Sequence, residues 1–481
     1  MVREKTTGSK NTFLDIAAFA VWSLFVLAVS GCNMAYLSPL KTVILILGFA
    51  GLSFFLIKNS GDGKKERVMI VLTITAVALR TFYVLYTGAE QRQHDMGEFD
   101  TYLENNYHSE YIEYILENHK LLAEDVREHW QFYHPPLHHI LCALFFSLYR
   151  TIVPSAAHNW DALQTLSLFW SLITLEVMRK FIDVFKLSSK GRITAYLVVA
   201  LHPQLIVFSG AINNDPLALM FSVSALYLAW KWYENRKLTF FFGSSVCIGL
   251  GMMSKLSAGL VAVAVAFLML KVLFGEKKKV RTFLLCAAYV ALCAPLGLWY
   301  QIRNYILWKV PVTYVAVPDT VLNPGLLIGD VPAWKRFAVF GNHGYNIIEE
   351  TLNQAVFDGD YYGEQIFLSL TGYFLLASFT LVVIMAVIGL ILAWIKNRNT
   401  LNTFLTVMVA AELISYVIFC FRYPFTCTMS FRYIVPVLIT CSYHCGTAYD
   451  KGPHLVKLFT NVSCYVFAFL SFLFYLMVWI K

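Results

Sequence analysis

Apolar runs long enough to cross a hydrocarbon core recur from one end of the sequence to the other, and this restricts the fold more than any motif does. A spanning helix needs about 20 apolar residues, with roughly 17 as the lower limit. By that measure spans are expected near 12 to 30, 41 to 57, 68 to 87, 162 to 182, 194 to 210, 217 to 232, 238 to 254, 257 to 273, 282 to 300, 366 to 395, 400 to 420, 432 to 448 and 457 to 480, about thirteen in all. The composition agrees: 58% of the 481 residues are hydrophobic and 14% charged, against roughly 25% charged in a soluble domain. Mean hydropathy is +0.60. The expected fold class is therefore an all-α polytopic membrane protein, one integral-membrane domain over 1–481.

The net charge of +8 does not indicate a nucleic-acid partner, because the basic residues form short clusters between apolar runs rather than one stripe. Those clusters fall at the N-terminus and at 58 to 67, 179 to 192, 231 to 237, 275 to 281 and 396 to 399, on every second loop. Lysine and arginine accumulate in short cytoplasmic loops, so the N-terminus is expected inside and the C-terminus outside. The first apolar run lacks a small-residue cleavage site and is expected to remain as a span. The ten cysteines lie mostly within apolar runs without a CxxC pair and read as small buried hydrophobes. The Cys441, His444, Cys445 cluster is read the same way, with metal binding as the rarer alternative.

The alternation of basic loops holds only if Pro136 to Tyr149, about 14 apolar residues, does not cross the bilayer. It is expected to be a juxtamembrane or re-entrant helix within a first extracytoplasmic loop over 88–160. A second large outer loop is expected over 301–365, too long for a bare connection.

Polar residues outside the basic clusters all fall on the outer side in this topology. His94, Asp95, Glu98 and Asp100 follow the third span. A carboxylate there suits a general base or a ligand to a divalent cation, and the same cluster also reads as a solvated interfacial loop. His134, His138 and His139 flank Pro135 and Pro136, and the spacing of four puts His134 and His138 on one face, suited to metal or proton transfer. Asp95, His134 and His138 are thus the candidate metal ligands; a divalent cation is the one cofactor these residues could hold. Asn213 and Asn214 with Asp215 precede Pro216 and read as a helix cap or, through Asp215, as a substrate contact near membrane depth. Lys255, Arg303 and Arg432 stand at outer span ends against the inside bias of positive charge. They suit either lipid headgroups or the phosphate of a lipid carrier. The 27 Tyr, 38 Phe and 11 Trp read mainly as membrane belt and helix packing.

In order and sidedness these motifs resemble glycosyltransferase family 39 of the GT-C superfamily, which includes protein O-mannosyltransferases and the lipid A aminoarabinose transferase. The resemblance runs from about 70 to 440. It rests on Asp95, the PPL motif at Pro135 to Leu137, HPQLIVFSGAINNDPLAL ending past Asp215, GLGMMSKLSAGL with Lys255, APLGLWYQIRN with Arg303 and Asn304, and FRYIVP with Arg432 and Tyr433. It implies a GT-C-like bundle and inverting transfer of a sugar from a polyprenyl-phosphate carrier to an extracytoplasmic protein, lipid or glycan. Asp95 and Asp215 are then the expected catalytic carboxylates, with His94, Glu98, His134, His138, Asn213, Asn214, Lys255, Arg303, Asn304, Arg432 and Tyr433 as expected substrate contacts. One departure stands out: many members carry an arginine at the start of the next span, where this chain has Gln164 in DALQTLSL. Membrane lipids are expected partners, and a bacterial plasma membrane the expected location, with a lumenal eukaryotic membrane as the alternative. The competing reading is a secondary transporter or lipid-linked sugar flippase, disfavoured by ionisable residues at one end of the spans and by the lack of a duplicated pattern.

Overall fold

The computed structural model describes residues 12–60, 64–89, 107–156, 159–277, 279–317, 327–328, 332, 335–336, 346–358, 366–396 and 398–478. Among them the architecture is helical: α1 (Thr12–Ser30), α2 (Pro39–Asn59), α3 (Lys64–Tyr86), α4 (Tyr107–Asn118), α5 (Leu137–Ile152), α6 (Gln164–Asp183), α7 (Ser189–Ala200), α8 (Pro203–Val207), α9 (Asn214–Asn235), α10 (Leu238–Ser254), α11 (Val261–Gly275), α12 (Lys279–Trp308), α13 (Ile347–Phe357), α14 (Ile366–Lys396), α15 (Thr400–Arg422), α16 (Val437–Lys451) and α17 (His454–Met477).

Eight of the described helices are long and apolar enough to span by length and composition: α1, α2, α3, α11 with the turn before it, α12, α14, α15 and α17. The other five expected spans fall on α6, α7 with α8, α9, α10 and α16, which do not meet that criterion. Helices α7, α8, α10 and α16 are 17 residues or shorter; for α6 and α9, which are long enough, the reason is position in the bundle. The apolar window of α2 is only 11% buried and that of α12 22%, so these helices present side chains outward, where only apolar groups suit lipid. Helices α6, α7, α9 and α16 are enclosed by protein, with Leu168, Phe181, Val198, Val223 and Ile439 fully buried. Protein neighbours can satisfy polar side chains there, so such helices carry charges that a lipid-facing helix could not.

The stretch expected as one span over 194 to 210 is broken. Pro203 has no N–H to continue a helix, so α7 ends at Ala200 and α8 begins anew, with the His202 ring accepting from the Gln204 N–H at 3.2 Å. Arg80, fully buried on α3, donates to the freed Ala200 carbonyl at 2.8 Å and to Ser171 Oγ at 3.1 Å. A buried guanidinium thereby satisfies backbone that the break would otherwise leave unpaired.

Helix α5 is 16 residues long, short of a span. Its exposed stripe is Leu144, Leu148 and Ile152, while His138, His139, Cys142, Ala143 and Phe146 are buried on the opposite side. That amphipathic pattern suits a helix lying along an interface.

Contacts sort the helix ends into two groups. At one end, Asp15 accepts from Asn59 at 2.6 Å, Arg192 pairs with Asp183 and Glu66, Tyr233 meets Thr400, and Lys271 donates to Thr400 at 2.7 Å. This end gathers residues from the basic clusters. At the other, Tyr86 Oη donates to the Tyr475 carbonyl at 3.1 Å and Gln164 to the Thr87 carbonyl at 2.7 Å. The polar motifs collect there.

Candidate functional site

Helices α9 and α10 form an antiparallel hairpin whose turn carries the basic cluster, so the start of α9 and the end of α10 meet at the opposite end. Asn213 caps α9, its Oδ1 accepting from the Asp215 N–H at 3.0 Å. Asp215 then lies in the first turn and Lys255 just past the last residue of α10. An anion at a helix N-terminus and a cation at a C-terminus both suit the helix dipole. The two side chains form an ion pair, with Asp215 5% exposed and Lys255 12%. Ser254 Oγ closes the hairpin onto the Asn214 carbonyl at 3.2 Å, and the Asn214 Nδ2 is buried without a hydrogen-bond partner.

A third element brings a second cation. The turn Phe431–Ile434 before α16 sets Arg432 Nη1 3.8 Å from Asp215 Oδ2. Tyr433 lies between the cations: Lys255 Nζ is 5.0 Å and Arg432 Cζ 5.2 Å from its ring centre, within the range of cation–π attraction. Beside this group opens a small cavity of about 30 Å³, lined by Asp215, Lys255, Arg432 and Tyr433 together with Ser222 and Glu412. The sequence reading missed Glu412, although a signal was present: it is the single charge in an apolar run over 400 to 420, and intramembrane acids are functional candidates by default.

The histidines form a separate group on α4 and α5. His108 Nδ1 lies 2.8 Å from His139 Nε2, and the His134, His138 and His139 rings lie within 6.1 Å of the His108 ring, centre to centre. His138 and His139 are fully buried. Burial first, then the neighbouring histidines, push the pKa of each well below the ordinary histidine value, so both rings are neutral. Among the described residues no group of three or more His, Cys, Asp or Glu is arranged to hold a metal ion. His134 and His138, two of the expected metal ligands, instead contribute to an aromatic stack that includes Tyr111 and Trp170. The same holds of Cys441, His444 and Cys445, which are packed on α16.

Arg303 and Asn304 are not brought to the Asp215 cavity. The Arg303 guanidinium donates to the Leu122 carbonyl and to Asn304 Oδ1, and lies 4.9 Å from the centre of the Trp308 ring. It braces α12 against the segment after α4. Nearby, Tyr111 Oη donates to Tyr300 Oη at 3.1 Å, and Tyr300 Oη to the Phe132 carbonyl at 2.5 Å.

His94, Asp95, Glu98 and Asp100 lie outside the described residues, but the point where the chain enters that stretch is held firmly. Asp161 Oδ1 accepts from the Ala89 N–H at 2.6 Å and its Oδ2 from Asn33 Nδ2 at 2.7 Å. Burial raises the pKa of the Asp161 carboxyl, opposed by these two hydrogen bonds. Gln164, fully buried, donates to the Thr87 carbonyl. The glutamine that departs from the family pattern thus holds the end of α3.

The helices mark a multi-pass membrane protein, and part of the chain is similar to a glycosyltransferase family: the family model described as dolichyl-phosphate-mannose-protein mannosyltransferase matches residues 133–299, about a third of the chain. The match takes in the α5 histidines, the Asn213 to Asp215 cap and Lys255. Such a family implies a lipid-linked sugar donor and an acceptor. No curated protein matches the chain.

Proposed function

We propose that the chain is an inverting glycosyltransferase that moves a sugar from a polyprenyl-phosphate carrier to an extracytoplasmic protein, lipid or glycan. The observation that carries the reading is that two cations, Lys255 and Arg432, share one carboxylate, Asp215, at the edge of the cavity. Two cations held beside a cavity in low dielectric suit a lipid phosphate, and their attraction grows as the departing phosphate gains charge. The positive-inside rule puts this end of the bundle outside, within a GT-C-like arrangement of about thirteen spans in a bacterial plasma membrane.

In the mechanism, the acceptor oxygen forms a bond to the anomeric carbon as the bond from that carbon to the carrier phosphate oxygen breaks. In-line attack inverts the centre. Asp95 takes the proton from the acceptor hydroxyl, the bonding pair leaves with the phosphate, and Lys255 and Arg432 stabilise it. Asp215 orients both cations. The His94, Glu98, His134 and Asn213 side chains are assigned to the acceptor side, and Tyr433 to the sugar face.

The test is release of polyprenyl phosphate from polyprenyl-phosphate mannose by the purified protein. Asp95→Asn is expected to abolish turnover with expression near wild type, and retained turnover would remove Asp95 from the central role. Movement of the carrier across sealed vesicles without any covalent product would put a flippase in place of the enzyme.

A further inference from the structure

Glu412 is the residue of the cavity that the proposed mechanism leaves without a task. It lies well inside α15, a helix apolar enough to span, and is 2% exposed. Among the described residues its carboxyl has neither a hydrogen-bond nor an ion-pair partner, while both nearby cations are engaged with Asp215. Burying an acid without partners costs stability that nothing in the surrounding helix returns. Yet the side chain lines the cavity rather than packing into the core, beside the hydroxyl-bearing Ser222, Ser257 and Tyr433.

We infer that Glu412 reads the sugar of the lipid-linked donor by hydrogen bonds to its ring hydroxyls. This inference rests on the reading of the cavity as the donor site. A carboxyl without a partner among the described residues offers two oxygens to adjacent hydroxyls, as a sugar presents them. The division of labour follows: Lys255 and Arg432 hold the carrier phosphate, whichever sugar is attached, and Glu412 supplies the increment in affinity that depends on the sugar. A buried acid left unmatched is an effective means of discrimination, because a ligand lacking the hydroxyl leaves it unsatisfied.

The experiment measures binding of polyprenyl-phosphate mannose and of bare polyprenyl phosphate to the full chain in nanodiscs, with thermal melting as the control for folding. In the wild type the sugar-bearing carrier is expected to bind more tightly. Glu412→Leu should weaken that carrier by about 3- to 10-fold, the worth of an ordinary hydrogen bond, and change bare-carrier binding less than about 2-fold. Glu412→Gln, which keeps the shape and one acceptor oxygen, should retain part of the increment. Lys255→Ala should weaken both carriers alike. Equal losses of the two carriers in Glu412→Leu, no loss of either, or a wild-type sugar increment abolished by EDTA would overturn the inference and leave the phosphate site standing. Failure of the wild type to bind either carrier would overturn the donor-site reading and the inference together.

Discussion

The two ends of the helical bundle both bury charge, and they use it differently. At the basic end, Arg179 forks onto Glu176 at 2.7 and 2.8 Å, Lys180 stands 3.7 Å from the same carboxylate, and Asp15 lies 3.8 Å from Arg179 while accepting from Asn59. Every one of these charges has an opposite partner. At the other end, Asp215 is shared by Lys255 and Arg432 beside a cavity, and Glu412 opens onto the same space without a partner among the described residues. A closed network ties α1, α2 and α6 together. An open one keeps charge available for something that arrives from outside the fold.

Substitutions should separate the two ends most sharply. Lys255→Ala, at the open end, is expected to cut turnover of polyprenyl-phosphate mannose at least ~100-fold, as loss of a group stabilising developing charge does, with a smaller loss of thermal stability, since Arg432 still faces Asp215. Arg179→Ala, at the closed end, removes the cation that Glu176 and Asp15 share, leaving Lys180 alone beside Glu176, and should cost about 3–5 kcal/mol of stability. The protein that still folds should turn over normally. Activity per folded molecule and melting temperature, measured on both variants, check the contrast; a large activity loss in folded Arg179→Ala would break it.

A smaller effect is expected where the bundle holds the first loop. Asp161→Ala and Gln164→Leu remove the hydrogen bonds to Ala89 and Thr87 that fix the chain before Asp95. Misplacing a catalytic group by about 1 Å costs on the order of 10²-fold, and partial loosening through one lost bond should cost roughly 10-fold in kcat. Steady-state kinetics should show that loss with KM for the carrier unchanged. A rise in KM alone would locate the effect at the donor instead.

The smallest expected effect is a pH dependence confined to α4 and α5. His138 and His139 are neutral in the fold, with pKa values held well below the ordinary value near 6.5. Their contribution to the packing of this region is fully present above that value and is lost as pH falls from it toward the folded pKa. Hydrogen-exchange protection factors, corrected for the intrinsic pH dependence of exchange, should therefore fall in α4 and α5 between pH 7.5 and 5.5, with those of the closed end unchanged. His139→Phe should flatten that response.

What the sequence revealed of this contrast follows from which physical signals are local. Hydropathy located helices at each expected stretch, because a spanning length of apolar residues is readable from a window. It passed over the break at Pro203, since the apolar character of 194 to 210 outweighed a single proline, and the Arg80 bond that makes the break tolerable joins residues 120 apart in sequence. The cap at Asn213 was visible as a local motif, and the grouping of Asp215, Lys255 and Arg432 followed from sidedness. Arg303 shared that sidedness but faces the first-loop segment at Leu122, a matter of helix rotation that loop charge does not encode. His134 and His138 had the spacing of a metal pair, yet packing on His108 and Trp170 gives them an aromatic role among the described residues. Glu412 belongs to no polar cluster, and its information lies in being the single charge of its apolar run.

The most direct test of the account is photo-crosslinking of a polyprenyl-phosphate mannose bearing a photoreactive group beside the phosphate, followed by peptide mapping of the full chain. The account predicts labelled peptides from 207–222, 251–262 and 428–437, with labelling reduced in Lys255→Ala and competed by unlabelled carrier. Competable labelling concentrated at the basic end, around 176–192 or 275–281, would contradict it.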